Sequence, residues 1–261
     1  MTTPELAQPV DFRTEGRVAI ITLNRPDARN AVNGAVTSAM DKALCEFEEN
    51  EDLWVAVLTA TGPVFCAGAD LKAVASGDTA SISPPGIGFA ALVERERTKP
   101  IIAAVDGAAV GGGCEIALAC DLIVASTSAV FGLPEVKRSL LAAAGGLVRL
   151  PVALPRNLAM EAILTGDPLS AQVCHQHGMV NVLAAPGEVL PAALALAERI
   201  NANAPLAVRA ARRVALVAST GAEAAGWEAT RTEMRGVART DDYQEGPRAF
   251  AEKRAPVWTG R

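Results

Sequence analysis

Two short apolar runs, Val18–Leu23 (VAIITL) and residues 54–59 (WVAVLT), bracket a stretch in which Val36, Met40, Ala43 and Phe47 recur every three or four residues. The runs read as buried strands, and the recurrence between them is the apolar stripe of an amphipathic helix. Two further apolar runs, at Ile101–Val105 and at residues 122–125, have the same strand-like character. Buried strands alternating with helices point to an α/β core.

The rest of the chain is less regular. Residues 73–87 (AVASGDTASISPPGI) are rich in Ser, Gly and Pro and read as a mobile loop. Beyond Pro151 strand signals become sparse. A turn at Pro186-Gly187 precedes helices expected over 189–200, 206–217 and 222–240, with a short terminal helix over 246–253. No period of 20–50 residues stands out, so a solenoid is not expected from the residues alone. A boundary near residue 200 divides an expected core, 1–200, from a helical region, 201–261.

Composition excludes several functional classes. The chain has 261 residues, half of them hydrophobic, which is enough to bury a sizeable core. A net charge of −5, without a basic or aromatic stripe, gives no bulk attraction to nucleic acid or an anionic membrane. The longest apolar tract, residues 101–134, is interrupted by Asp106, Glu115 and Asp121, which argues against a membrane span. No secretory signal is expected from the opening residues. Cys45, Cys66, Cys114, Cys120 and Cys174 are odd in number and form no CxxC pair, so free thiols in a reducing cytosol are expected. His175 and His177 assemble no ligand set, and no metal is expected.

Three segments carry chemistry. In the first, residues 65–72 (FCAGADLK), small residues let the backbone approach a ligand with its N–H groups exposed, although a tight loop needs the same residues. In the second, Gly111-Gly112-Gly113-Cys114-Glu115 feeds an apolar stretch. It reads as a loop opening a helix, whose N-terminal N–H groups suit a developing oxyanion. Glu115 falls in the first turn, where it could equally complement the helix dipole. In the third, Phe131-Gly132-Leu133-Pro134-Glu135 places a carboxyl among apolar residues. Burial there would raise its pKa towards neutrality and suit it to proton transfer. A surface Glu opening a short helix after Pro134 is the alternative.

The ordered set resembles the enoyl-CoA hydratase/isomerase (crotonase) family. The resemblance runs from Leu23-Asn24-Arg25-Pro26 and Arg29-Asn30-Ala31, through Cys66-Ala67-Gly68-Ala69-Asp70, Gly111-Gly112-Gly113-Cys114-Glu115, Ala119-Cys120-Asp121 and Phe131-Gly132-Leu133-Pro134-Glu135. It continues through Gly145-Gly146, Thr165-Gly166 and Gly178-Met179-Val180-Asn181 to Glu245-Gly246 with Ala249-Phe250. Any one of these pieces is weak; their order is specific.

The resemblance implies a spiral of stacked ββα units, with a C-terminal helical part that drives trimerisation, trimers often pairing into hexamers. It implies that the N–H groups of Ala69 and Gly112 bind a thioester oxygen. Glu115 and Glu135 would be the catalytic acid–base pair of a hydratase that adds water to a trans-2-enoyl-CoA. Ala67, Gly68, Asp70, Leu71, Lys72 and Gly111 would line the coenzyme A and substrate site. No cofactor is expected beyond the coenzyme A of the acyl-CoA substrate itself. The run Leu133-Pro134-Glu135 and residues 146–151 (GLVRLP) also look like carnitinyl-CoA dehydratase, which works on a hydroxylated, cationic acyl group. That activity, an enoyl-CoA isomerase, and a non-catalytic acyl-CoA-binding protein are the alternatives. Acyl-chain identity, pathway, stereochemistry at C3, and trimer against hexamer are not encoded legibly.

Overall fold

The computed structural model describes residues 8–203, 205–219, 235, 236, 238, 239, 241–254 and 257. Its framework is a six-stranded sheet in the order β1 (Val10–Glu15), β2 (Val18–Leu23), β3 (Val55–Ala60), β5 (Ile101–Val105), β7 (Leu122–Ser126) and β10 (Val182–Ala184). Only the β1–β2 pair is antiparallel. The other strands read as continuous apolar runs because both faces of the sheet are covered. Ala19, Ile21, Ala56, Leu58, Ala103 and Val105 point to a core shared with helix α1 (Gly34–Glu49). The alternate residues Val18, Ile20, Val55, Val57, Ile102 and Ala104 pack with Val189, Ala193 and Ala197 of helix α8 (Val189–Asn201).

A second, smaller sheet has the order β4 (Val64–Cys66), β6 (Ala108–Val110), β8 (Val130–Gly132) and β9 (Leu169–Ser170). The pairs β3/β4, β5/β6 and β7/β8 each give one strand to each sheet before the chain turns into helix. This is the expected ββα spiral. Its first strands begin at Val55, Ile101 and Leu122, so the units are grossly unequal in length and leave no sequence period. The units are closed by helix α2 (Leu71–Ala75) with α3 (Thr79–Ile82), by α4 (Gly112–Ala119), and by a 3-10 turn at Pro134–Arg138 followed by α5 (Gly146–Ala153) and α6 (Arg156–Thr165).

The segment expected as a mobile loop is therefore partly helical. Ile82 of α3 is buried, and its carbonyl accepts a hydrogen bond from Thr37 Oγ1 of α1 at 3.2 Å. Gly34 allows this docking, since a Cβ there would lie 2.5 Å from Ser81 Oγ. His175, in helix α7 (Ala171–Gln176), and His177 just beyond it are exposed, as read from the sequence.

Two C-terminal helices touch the core. In α9 (Pro205–Ser219), Arg212 Nε donates to Asp121 Oδ1 at 2.7 Å, while Arg97 Nη1 and the Ile101 N–H donate to Asp121 Oδ2. The Asp121 of the ACD motif thus ties β5 to the C-terminal region. Helix α10 (Asp241–Ala251) begins five residues before the expected 246–253 and packs on the Pro134–Arg138 turn. The helix expected over 222–240 lies almost wholly outside the described residues.

Candidate active site

The site is built where the small sheet feeds helix α4. At the end of β6 the Gly111 N–H donates to Gly132 O at 2.8 Å, and the backbone then turns through φ +57, a region that favours glycine. A Cβ at Gly111 would also sit 3.1 Å from Glu135 Oε1, so the Glu135 carboxyl lies directly over this glycine. Gly112 opens α4, and Glu115 lies in its first turn.

Glu115 is 3% exposed. Its Oε1 accepts hydrogen bonds from the N–H groups of Ala144 (2.8 Å) and Gly146 (2.9 Å), in the loop entering α5. Glu135 is partly buried, and its Oε2 is enclosed with no hydrogen-bond partner among the described residues. Both carboxyls are held well above the ordinary carboxylate range. Glu115 is raised to about 8, chiefly by burial and then by the charge of Glu135, against the opposing pull of its two N–H donors and Arg149. Glu135 is raised to about 7, chiefly by burial, with its own N–H and Arg138 opposing. The two therefore lose their protons as a pair in the neutral range.

The loop after β4 comes against the same place. A Cβ on Gly68 would lie 2.9 Å from Gly112 N and 3.2 Å from Val110 O. Among the described residues, neither the Ala69 N–H nor the Gly112 N–H donates a hydrogen bond. Two N–H groups that make no hydrogen bond among the described residues thus lie on segments that meet at Gly68 and Gly112, next to the glycine that Glu135 overlies. The structure places Glu135 over Gly111, the charge of Glu135 within reach of Glu115, and Gly68, which precedes Ala69, against the Gly112 N–H.

The remaining predicted contacts have different surroundings. The Ala67 N–H is bonded to Arg29 O, and the Gly68 carbonyl to the Val32 N–H. The Asp70 carboxylate is committed to Arg25 Nη2 (3.2 Å) and to the Lys72 N–H (3.2 Å), capping α2. Leu71 is partly exposed and Lys72 exposed, so the surface end of this loop lies open. No group of three or more His, Cys, Asp or Glu side chains among the described residues could hold a metal ion.

Sequence reasoning passed over Phe89. Its ring lies so close to Gly112 that a Cβ there would meet Cε1 at 2.5 Å. Phe89 is delivered by a turn in which Ala90 and Ala91 both have left-handed φ (+54 and +55), a conformation costly for residues with a Cβ. No local pattern marks such a contact, because it joins residues 23 apart through tertiary packing.

The turn that carries Glu135 also packs against the C-terminal helix α10. A Cβ on Gly246 of α10 would lie 2.0 Å from Arg138 O, in the turn that carries Glu135. Gly246→Ala is expected to force α10 and this turn apart, at the roughly 1–3 kcal/mol typical of overpacking. A lower Tm and a kcat reduced by about tenfold or more are expected. An unchanged kcat at reduced Tm would show that α10 does not hold the turn.

A model of the enoyl-CoA hydratase/isomerase family matches residues 13–261. This chain belongs to the enoyl-CoA hydratase/isomerase family. Curated relatives in the family include a carnitinyl-CoA dehydratase of Salmonella typhi, 38% identical over 98% of this chain and 100% of the relative. Another, from Proteus mirabilis, is 37% identical over the same shares. Among solved structures, a carnitinyl-CoA hydratase from Mycobacterium avium superposes with a TM-score of 0.93 at 50% identity, covering 97% of this chain and 99% of that one. An enoyl-CoA hydratase from Mycobacterium tuberculosis superposes at 0.78 with 46% identity, over 97% and 100%.

Proposed function

We propose that this hydratase-family chain adds water reversibly across the C2–C3 double bond of a trans-2-enoyl-CoA, giving a 3-hydroxyacyl-CoA. The observation that supports this reading is a pair of interacting, raised carboxyls, one of them over Gly111, near two N–H groups that make no hydrogen bond among the described residues. Water attack at C3 pushes electrons into the thioester, so negative charge develops on its oxygen. Donors preorganised at Ala69 and Gly112 stabilise that charge most in the transition state. In this reading Glu115 holds the water and takes its proton, while Glu135 supplies a proton to C2. Retention of both glutamates counts against a one-carboxyl isomerase and against a non-catalytic binder.

Proton exchange of this kind works when the pair holds one proton. The profile of kcat/KM against pH is expected to be bell-shaped, with its top between about 7 and 8, falling once both groups are protonated or both ionised. A flat profile from pH 5.5 to 9 would count against the pair.

The names of the relatives favour one alternative substrate, a carnitinyl-CoA, on which the same residues would remove water. Loss of enone absorbance with crotonyl-CoA and longer 2-enoyl-CoAs tests the first reading, and conversion of carnitinyl-CoA the second. Inactivity towards both acyl classes would sink the proposal. We further propose a homotrimer or a pair of trimers, supported by the exposed apolar side chains Val152, Leu164 and Leu206. A cytoplasmic setting is supported by the free cysteines, and no helix among the described residues is long and apolar enough to cross a membrane. No cofactor is needed beyond the coenzyme A of the substrate.

A further inference from the structure

We propose that Arg25 and Asn30 are positioning residues for the oxyanion cleft: acting through Val32, they fix the direction and donor strength of the Ala69 N–H. This rests on the reading that Ala69 and Gly112 hold the thioester oxygen.

A peptide unit is planar and trans, and the structure has no cis bond among the described residues, so the C=O and N–H of one unit point in opposite directions. The carbonyl of Gly68 accepts from the Val32 N–H at 2.8 Å. The N–H on that same unit, belonging to Ala69, is therefore aimed away from residues 25–32. On the following unit, the Asp70 N–H donates to Val32 O at 2.8 Å. Both peptide units that flank the Ala69 Cα are thus clamped to one residue. The bond to the Gly68 carbonyl also polarises its unit and makes the Ala69 N–H a better donor.

Val32 can serve as a clamp only if its own segment is rigid. Arg29 and Asn30 both have left-handed φ (+52 and +53), and the side chains hold the backbone there. Asn30 is 1% exposed. Its Oδ1 accepts from the Arg25 N–H at 2.8 Å, and its Nδ2 donates to Thr61 O (2.9 Å) and Val64 O (2.8 Å). The amide therefore joins the 25–32 segment to the chain that enters β4, from which the Ala69 loop emerges. Arg25 completes the frame, donating to Ala31 O through Nη1 and pairing with Asp70 through Nη2.

The test reads carbonyl polarisation directly. A conjugated cinnamoyl-CoA bound with its thioester oxygen between two strong donors absorbs at longer wavelength than when free. The wild type is expected to give that red shift. Arg25→Gln should shrink the shift and lower kcat by about tenfold or more, with KM for a 2-enoyl-CoA within about threefold, the loss expected when a transition-state interaction is weakened. Arg25→Lys should restore part of the shift. Asn30→Asp, which keeps the acceptor and loses the donors to residues 61 and 64, should act in the same direction. Since Asn30 is buried and its variant can fail to fold, the partly exposed Arg25 carries the decision. A full red shift and normal kcat in Arg25→Gln would overturn the positioning role alone. Absence of any red shift in the wild type would overturn the oxyanion reading itself, and this inference with it.

Discussion

Glu135→Gln and Glu115→Gln are each expected to lower kcat for hydration by about 10²–10⁴-fold, the usual worth of a positioned general acid or base. KM should stay within a few-fold, because neither carboxyl is proposed to hold the coenzyme A. The replacement is isosteric. At position 115 the oxygen of the introduced amide can still accept from the Ala144 and Gly146 N–H groups, so the loop entering α5 keeps its anchor. At position 135 the buried Oε2 has no protein partner to lose among the described residues. The same variants should report on stability with a definite sign. Both folded pKa values lie above the ordinary unfolded value of about 4.3. The folded state therefore holds protons that the unfolded chain has released, and stability present below about pH 4 is lost as pH rises through the neutral range. Each Gln variant should flatten that decline and exceed the wild type in Tm at pH 9. In Glu135→Gln the remaining Glu115 should also titrate lower, because the charge of Glu135 is the second cause of its elevation. Steady-state kinetics with thermal melts from pH 5 to 9 would check all of this. Near-normal turnover in either variant removes that residue from the acid–base pair.

How much of this was visible in the sequence depended on the range of the interactions involved. Strands β2, β3, β5 and β7 were legible because burial on both faces leaves only apolar residues. Strand β1 was not, because VDFRTE is an edge strand whose side chains mostly face solvent. Strands β4, β6 and β8 have three residues each, too few to show a period. The stretch 73–87 looked like loop because Ser and Gly are weak helix formers, yet the docking of Ile82 on α1 overrides local preference. In the site, Gly111–Glu115 announced a helix start by its own composition. That Glu135 would sit over Gly111, or that the loop before α5 would bind Glu115, depends on chain segments 20 or more residues away. The engagement of the Asp70 carboxylate by Arg25, 45 residues earlier, is equally a matter of tertiary packing that no local motif shows.

Gly113→Ala is expected to do the most damage of any single methyl added to this chain's site. Ordinarily, Gly to Ala within a helix favours folding by about 1 kcal/mol. Here the added Cβ would fall 2.1 Å from Cys66 O and 2.7 Å from its carbonyl carbon. That carbonyl cannot simply rotate away. The N–H of the same peptide unit, belonging to Ala67, is held by Arg29 O at 3.0 Å, so the Cys66 oxygen is fixed towards α4. The strain must separate the N-terminus of α4 from the loop after β4, and the overpacking cost of roughly 1–3 kcal/mol outweighs the helical gain. The two parts driven apart carry the Gly112 and Ala69 N–H groups. A donor displaced from the oxyanion typically costs about 10²–10³-fold in rate. Gly113→Ala should therefore combine a fall in Tm of a few degrees with a loss of hydration of at least that size, while Glu115 and Glu135 remain chemically intact. Melting curves and kcat on the purified variant decide it. A raised Tm with normal kcat would mean that helix propensity governs this position and that the contact with Cys66 does not set the cleft. A lowered Tm with lost kcat would tie the catalytic donors to the packing of one glycine against one carbonyl.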